Sequence, residues 1–410
     1  MQLTIDPDIE DMTTSLMRFI EREVIPIEEA NKALLADDRS LFDATGRYVP
    51  EVLALRRKVR MRSAELGFYT LFGAADLGGS EMGARASTHI QETLYRRYGP
   101  ARTLIQTVVL PSPFTNGLTP VLRALPPRTL ARYREGIASG DKTLCFALSE
   151  PDAGSDVMAM KTRAVREGDA WVITGTKQWI TNAPYADYAM VFAVTDAQQA
   201  AKRKGGITGF LVDMRTPGVA APSVVRVMGH LGGETGTFTL DKVRVADDHR
   251  LGAVDQGLAV AIGGVSAGRL GLAAMSLGLA QWALDLALGY AKVRKTFGVP
   301  IAQHQAIQFM LADSAMDIYA AKAMLQKCSL RIDHQQDVVA EISMVKAFCT
   351  EMVGRVMDRC IQIHGGMGLT NELRLEEGMR LARQTRIPDG TGEIQRRTIA
   401  LQMLAGKLDL

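Results

Sequence analysis

The chain has 410 residues, 47% of them apolar, and a formal charge of +3. That length can bury more than one core and predicts two or three domains, while so small a charge argues against nucleic acid or an anionic membrane as partner. Four scattered cysteines (Cys145, Cys328, Cys349, Cys360) and six histidines with no HxxxH or HxH spacing point to reduced thiols and no metal site.

From Ile5 to about Gly140 the apolar residues fall at helical spacing, as in Met12, Leu16, Phe19, Ile20 and Val24, with Gly78-Gly79 and Pro126-Pro127 as turns. From about Asp141 to Val245 the pattern changes to short β-branched and aromatic runs: Trp171–Ile173, Tyr188–Val194, Gly209–Val212, Phe238–Leu240 and Val243–Val245. A small antiparallel barrel or sandwich is expected there. Beyond Gly257 the helical period returns, with Leu277, Ala280, Leu284, Ala287 and Ala291 on one face and Phe348, Met352 and Val356 on a later one. The expected class is α+β, with a helical domain over 1–140, a β domain over 141–246 and a helical bundle over 247–410. No leader pattern and no run of about 18 apolar residues stands out, so a cytoplasmic protein without a membrane span is expected.

Four stretches could carry chemistry. Ala147-Leu148-Ser149-Glu150-Pro151-Asp152-Ala153-Gly154-Ser155-Asp156 puts small and turn-forming residues after a strand, which can offer backbone N–H groups to a phosphate or a ring edge, or can simply turn. In Lys177-Gln178-Trp179-Ile180-Thr181-Asn182, period-two alternation places the Trp179 indole and the Thr181 hydroxyl on one face, suited to a flat ring or to plain packing. Gly365-Gly366-Met367-Gly368 lets another molecule approach the backbone, or serves as a helix–helix turn; it is not a dinucleotide fingerprint, lacking a strand before it. Asp389 stands between Pro388 and Gly390, a place for a turn-former or helix cap as much as for a functional carboxylate.

Together and in this order, ALSEPDAGSD, KQWITN, VRKTFGVPIAQHQAIQ and QIHGGMGL closely resemble the acyl-CoA dehydrogenase family over residues of about 60 to 404. The resemblance implies an N-terminal helical domain, a middle antiparallel β domain and a C-terminal four-helix domain, with one FAD per subunit and a homotetramer built as a dimer of dimers. It implies that Phe146, Leu148, Ser149, Gly154, Ser155, Trp179 and Thr181 line the flavin of their own subunit. Arg294, Thr296, Phe297, His304 and Gln305, with Gln362, Gly365 and Gly366, would reach the adenosine diphosphate part of a neighbour's FAD. Thr391 would also touch the cofactor, and Ser155, Arg269 and Gly390 the substrate. The substrate implied is an acyl-CoA thioester, and an electron-transfer flavoprotein would be the acceptor.

The implied reaction is α,β-dehydrogenation to a trans-2-enoyl-CoA, as in β-oxidation of fatty acids, with a carboxylate taking the α-proton and flavin N5 the β-hydride. Most relatives carry Glu-Gly-Thr at the base; this chain has Asp389-Gly390-Thr391, one methylene shorter. The alternative base position known in the family, just before Arg269, is Gly268. Asp389 is therefore the expected base, and the shorter side chain suggests a β-substituted, branched or otherwise unusual acyl group. A rival on the same scaffold is a nitroalkane oxidase, which uses Asp at this place; Arg396 fits both patterns. A catalytically silent flavoprotein subunit is the third reading.

Overall fold

The computed structural model describes residues 5–100, 102–112, 116–228 and 233–408. The longer helices are α1 (Pro7–Phe19), α2 (Pro50–Glu65), α3 (Gly83–Tyr98), α4 (Pro127–Ala138), α5 (Gly257–Val293), α6 (Gln305–Asp333), α7 (Val339–His364), α8 (Leu375–Thr385) and α9 (Gly392–Leu404). The strands are β1 (Leu144–Ala147), β2 (Arg163–Glu167), β3 (Ala170–Thr181), β4 (Tyr188–Val194), β5 (Ile207–Asp213), β6 (Ser223–Val224), β7 (Thr235–Ala246), β8 (Arg250–Leu251), β9 (Lys295–Thr296) and β10 (Val299–Pro300). Helices, then strands, then helices is the order the apolar spacing predicts.

Contacts gather the chain into two compact units. The first holds Met1–Ile20, Met82–Arg102 and Gly268–Leu410, and the second holds Glu21–Glu81 and Thr103–Ala267. These do not coincide with the segments 1–140, 141–246 and 247–410, because α1 and α3 cluster with the C-terminal helices while α2 and α4 cluster with the sheet.

In the first unit, α5 presents Ala273, Ala274, Leu277, Ala280, Ala283, Ala287 and Ala291 to a core completed by Ile318, Ala321 and Leu325 of α6 and Val345, Met352, Val353 and Val356 of α7. Alanines on α5 keep the neighbouring helices close, so burial is dense at little side-chain entropy cost. By length and composition alone α5 could cross a bilayer, but these apolar positions are used in packing.

In the second unit the eight-stranded sheet runs β6-β7-β3-β2-β4-β5-β8, with β1 beside β4. β4 explains its own composition: Tyr188, Met190 and Phe192 point into one core and Ala189, Val191 and Ala193 into another, so both faces are buried. The sheet is mixed, not antiparallel as expected. β1 runs parallel to β4, Leu144 opposite Tyr188 and Ala147 opposite Val191, since the β2–β3 hairpin intervenes and returns the chain in the same direction. Phe238–Leu240 and Val243–Val245, two runs in the sequence, belong to the single strand β7.

Candidate functional site

The first cluster lies in the first unit around the loop from Arg386 to Gly390. α8 stops at Thr385 and Thr391 caps α9, its hydroxyl accepting from Ile394 N–H at 3.3 Å. Between them Asp389 is held at φ +58° and Gly390 at +93°, the left-handed region that Asp tolerates and Gly favours. Three helices supply the donors that fix this turn. Arg269 Nε of α5 donates to the Asp389 carbonyl at 2.9 Å. Gln395 Nε2 of α9 donates to the Asp389 and Gly390 carbonyls at 3.1 and 3.0 Å. Lys346 Nζ of α7, fully buried, donates to the carbonyls of Arg386 and Gly390 at 3.2 and 2.8 Å.

All these donors go to backbone oxygens. Among the described residues no side chain donates a hydrogen bond to the Asp389 carboxylate or closes an ion pair with it, and the Asp389 N–H has no acceptor. Burial pushes this carboxyl up from 3.8 to about 6, against the pull of the Lys346 and Arg269 charges. Burial likewise drives the Lys346 ammonium down to about 8. The loop thus presents a half-buried carboxylate poised near neutrality and a free N–H beside it, which is what proton abstraction next to a carbonyl needs. Gly268, buried on α5, has no side chain to compete.

The second cluster lies in the second unit. Register between β3 and β7 shifts between Lys177 and Ile180, so Lys177 and Ile180 both point inward while Trp179 and Thr181 share the open face. Trp179 takes φ +63° there and is 55% exposed. The loop after β1 is fastened alongside: Gln178 N–H donates to the Ser149 carbonyl at 3.0 Å, and Lys177 Nζ to the Leu148 carbonyl at 3.1 Å. Leu148 and Ser149 are half-buried and Gly154 and Ser155 exposed, but the Phe146 ring is a core group, 5.0 Å from Phe192 between centroids. A cavity of about 390 Å³ opens beside Thr181, lined among others by Arg47, Arg56, Arg60 and Lys142.

The remaining expected residues form two exposed features of the first unit. β9 and β10 make a hairpin whose tip is Phe297, at φ +51° and 97% exposed. Thr296 Oγ1 meets His304 Nε2 at 2.9 Å, and Arg294 and Gln305 are exposed. At the end of α7, Gln362, Gly365 and Gly366 are exposed. Gly366 has an ordinary backbone angle and open space where a Cβ would stand, as does Gly154, so packing within the chain does not explain either glycine. In the second unit the bare aromatic face at Trp179 and the open position at Gly154 could take a flat ring, and in the first unit the open position at Gly366 could let a phosphate-bearing group approach the backbone.

Sequence reasoning missed Lys346, Gln395 and the pair Glu150–Lys177, which is buried at 2.7 Å and passes through the middle of two recognised motifs. Charged residues inside otherwise inward-facing positions were the signal available.

Comparison with known proteins gives the family of the chain. Family models described as acyl-CoA dehydrogenase, middle domain, and acyl-CoA dehydrogenase, C-terminal domain, match residues 145–243 and 255–404. The chain is 35% identical to the human mitochondrial short-chain specific acyl-CoA dehydrogenase over 399 residues, covering 97% of this chain and 90% of that protein. It is 34% identical over 375 residues to the caffeyl-CoA reductase-Etf complex subunit CarC of Acetobacterium woodii, covering 92% of this chain and 95% of that one. The butyryl-CoA dehydrogenase structure from Megasphaera elsdenii superposes with a TM-score of 0.84 at 26% identity, over 98% of this chain and all of that one. The chain belongs to the acyl-CoA dehydrogenase family, FAD-containing oxidoreductases that act on a CH–CH bond of acyl-CoA.

Proposed function

We propose that this protein is an acyl-CoA dehydrogenase in which Asp389 removes the α-proton of an acyl-CoA thioester, giving the trans-2-enoyl-CoA. The observation that carries the reading is the carboxyl of Asp389, raised to about 6 by burial while the bonds that Arg269, Lys346 and Gln395 give the loop go to its backbone carbonyls and not to the carboxylate. A base with this affinity for protons is half-ionised near pH 6 and ready at pH 7. The free N–H of Asp389 would donate to the thioester oxygen, where negative charge grows as the α-proton leaves. FAD, when bound, supplies the acceptor for the β-hydride. Leu148, Ser149, Gly154, Ser155, Trp179, Thr181 and Thr391 would hold it from the same subunit, with Phe146 contributing backbone only, since its ring is in the core. Ser155, Arg269 and Gly390 would contact the substrate, Arg269 while holding the loop.

Arg294, Thr296, Phe297, His304, Gln305, Gln362, Gly365 and Gly366 would serve a neighbouring subunit's FAD. Exposed apolar groups on the hairpin and on α6, Phe297, Phe309, Met316 and Tyr319, support self-association, and the assembly proposed is a homotetramer built as a dimer of dimers. CarC is named as part of an Etf complex, which supports an electron-transfer flavoprotein as acceptor; a cytoplasmic role in fatty-acid β-oxidation is part of the proposal. CarC is also a reductase by name; an aspartic acid near pKa 6 can return the α-proton as well as take it, so the reverse direction is open to the same residues.

The test is anaerobic mixing of the holoprotein with a panel of straight, branched and cyclic acyl-CoA thioesters while following flavin absorbance. Rapid bleaching with enoyl-CoA formation is expected. No bleaching with any thioester, or nitrite and aldehyde from a nitroalkane, would overturn the assignment.

A further inference from the structure

We propose that Lys346 is the positioning residue of the base: by bridging the carbonyls of Arg386 and Gly390 it closes the Arg386–Gly390 loop around Asp389 and keeps its charge close to the carboxylate without bonding it. The inference rests on the reading of Asp389 as the base. Its ground is geometric. Lys346 is fully buried on the inner face of α7, between Ile342 and Cys349 of the core, where lysine is costly unless it has a task. Its two bonds, at 3.2 and 2.8 Å, fall on the first and last residues of the five-residue loop. An ammonium donating to both ends fixes their separation, and the intervening Pro388 and left-handed Asp389 have then little freedom left.

The charge has a second effect. The groups facing Lys346 are Asp389 on the loop, Arg269 on α5, Glu393 on α9 and Arg386 at the end of α8. Two cations, Lys346 and Arg269, therefore act on Asp389 against burial. A direct ion pair would lower the carboxyl further and weaken it as a base; without the cations burial would raise it further. Cations tethered to carbonyls nearby give the intermediate state. A lysine with only a packing role would leave the acid limb of the pH profile in place when replaced.

The experiment is rapid flavin reduction by a good acyl-CoA substrate, followed from pH 5 to 9, in wild type, Lys346→Met, Lys346→Arg and Asp389→Asn holoproteins. Lys346→Met removes charge and tether at similar volume. Its acid limb is expected to move up by about one pH unit, with the limiting rate down ten-fold or more and FAD content retained; Lys346→Arg should restore the limb. If Lys346→Met does not fold, Lys346→Gln, a neutral donor, should show the same shift. An unmoved acid limb and rate in a folded neutral variant, with reduction abolished in Asp389→Asn, would overturn the role of Lys346 alone. Near-normal reduction in Asp389→Asn would instead remove Asp389 as base, and this proposal with it.

Discussion

Glu150 and Lys177 form an ion pair of 2.7 Å in the second unit, with their side chains 5% and 0% exposed. Glu150 also accepts from the N–H groups of Lys161 and Thr162, and Lys177 donates to the Leu148 carbonyl. The pair therefore joins the loop after β1 to β3 and holds Leu148 and Ser149 beside Trp179. Removing one partner strands a buried charge, so Glu150→Gln or Lys177→Met should cost about 3–5 kcal/mol in urea unfolding. Replacing both with apolar residues should recover much of that. Because the join also shapes the proposed flavin edge, the double variant should regain stability without regaining full FAD affinity; recovery of both would separate the pair from cofactor binding.

Asp389 gives a pH prediction of definite sign. Its folded carboxyl titrates near 6, above its ordinary 3.8, so the folded protein binds the proton more tightly than the unfolded chain. The stability this contributes is complete below about pH 4 and is lost as pH rises through 6. Asp389→Asn, neutral at all pH and tolerant of a left-handed backbone, should be about 1–3 kcal/mol more stable than wild type at pH 7 and nearly equal to it at pH 4. The same variant should lose several orders of magnitude in flavin reduction rate. In wild type that rate should fall roughly ten-fold per pH unit below 6. Asp389→Glu is expected to keep partial activity and to shift acyl preference, because the longer side chain fills space that the shorter one leaves to substrate.

How far these features can be read without coordinates depends on whether they are local. The run Tyr188–Val194 declares β4 by its unbroken apolar character, and Pro388-Asp389-Gly390 declares a constrained turn. The parallel pairing of β1 with β4 is not local, and a four-residue strand has too short a pattern to reveal its partner. Lys346 is harder still. Its partners are carbonyls 40 and 44 residues further on, and a backbone oxygen has no signature in sequence. The positions of donors around Asp389 follow from how α5, α7 and α9 pack, which periodicity along any one helix does not specify.

Phe297 offers a test of assembly that folding cannot confound. At 97% exposure it contributes almost nothing to the stability of its own chain. Phe297→Ser should therefore leave urea unfolding of the apoprotein within about 0.5 kcal/mol of wild type. If the hairpin reaches a neighbour's cofactor, the variant and Arg294→Ala should both lower FAD content and make it depend on protein concentration. Size-exclusion chromatography with light scattering, run beside the flavin-to-protein absorbance ratio, measures both. Unchanged occupancy in both variants would show that the hairpin does not serve the cofactor.

Trp179 separates cofactor binding from folding within one residue. The indole is half-exposed and its backbone sits at φ +63°, where any residue with a Cβ is strained by about 1–2 kcal/mol. Trp179→Gly removes that strain, adds backbone entropy to the unfolded chain worth about 0.5–1 kcal/mol, and forfeits only the buried part of the ring. These changes nearly cancel, so thermal unfolding of the apoprotein should move little. FAD affinity, measured by flavin fluorescence on titration, should nonetheless fall ten-fold or more, since among the described residues the ring's open face has no partner to lose. A large drop in apoprotein stability with unchanged affinity would make Trp179 a packing residue after all.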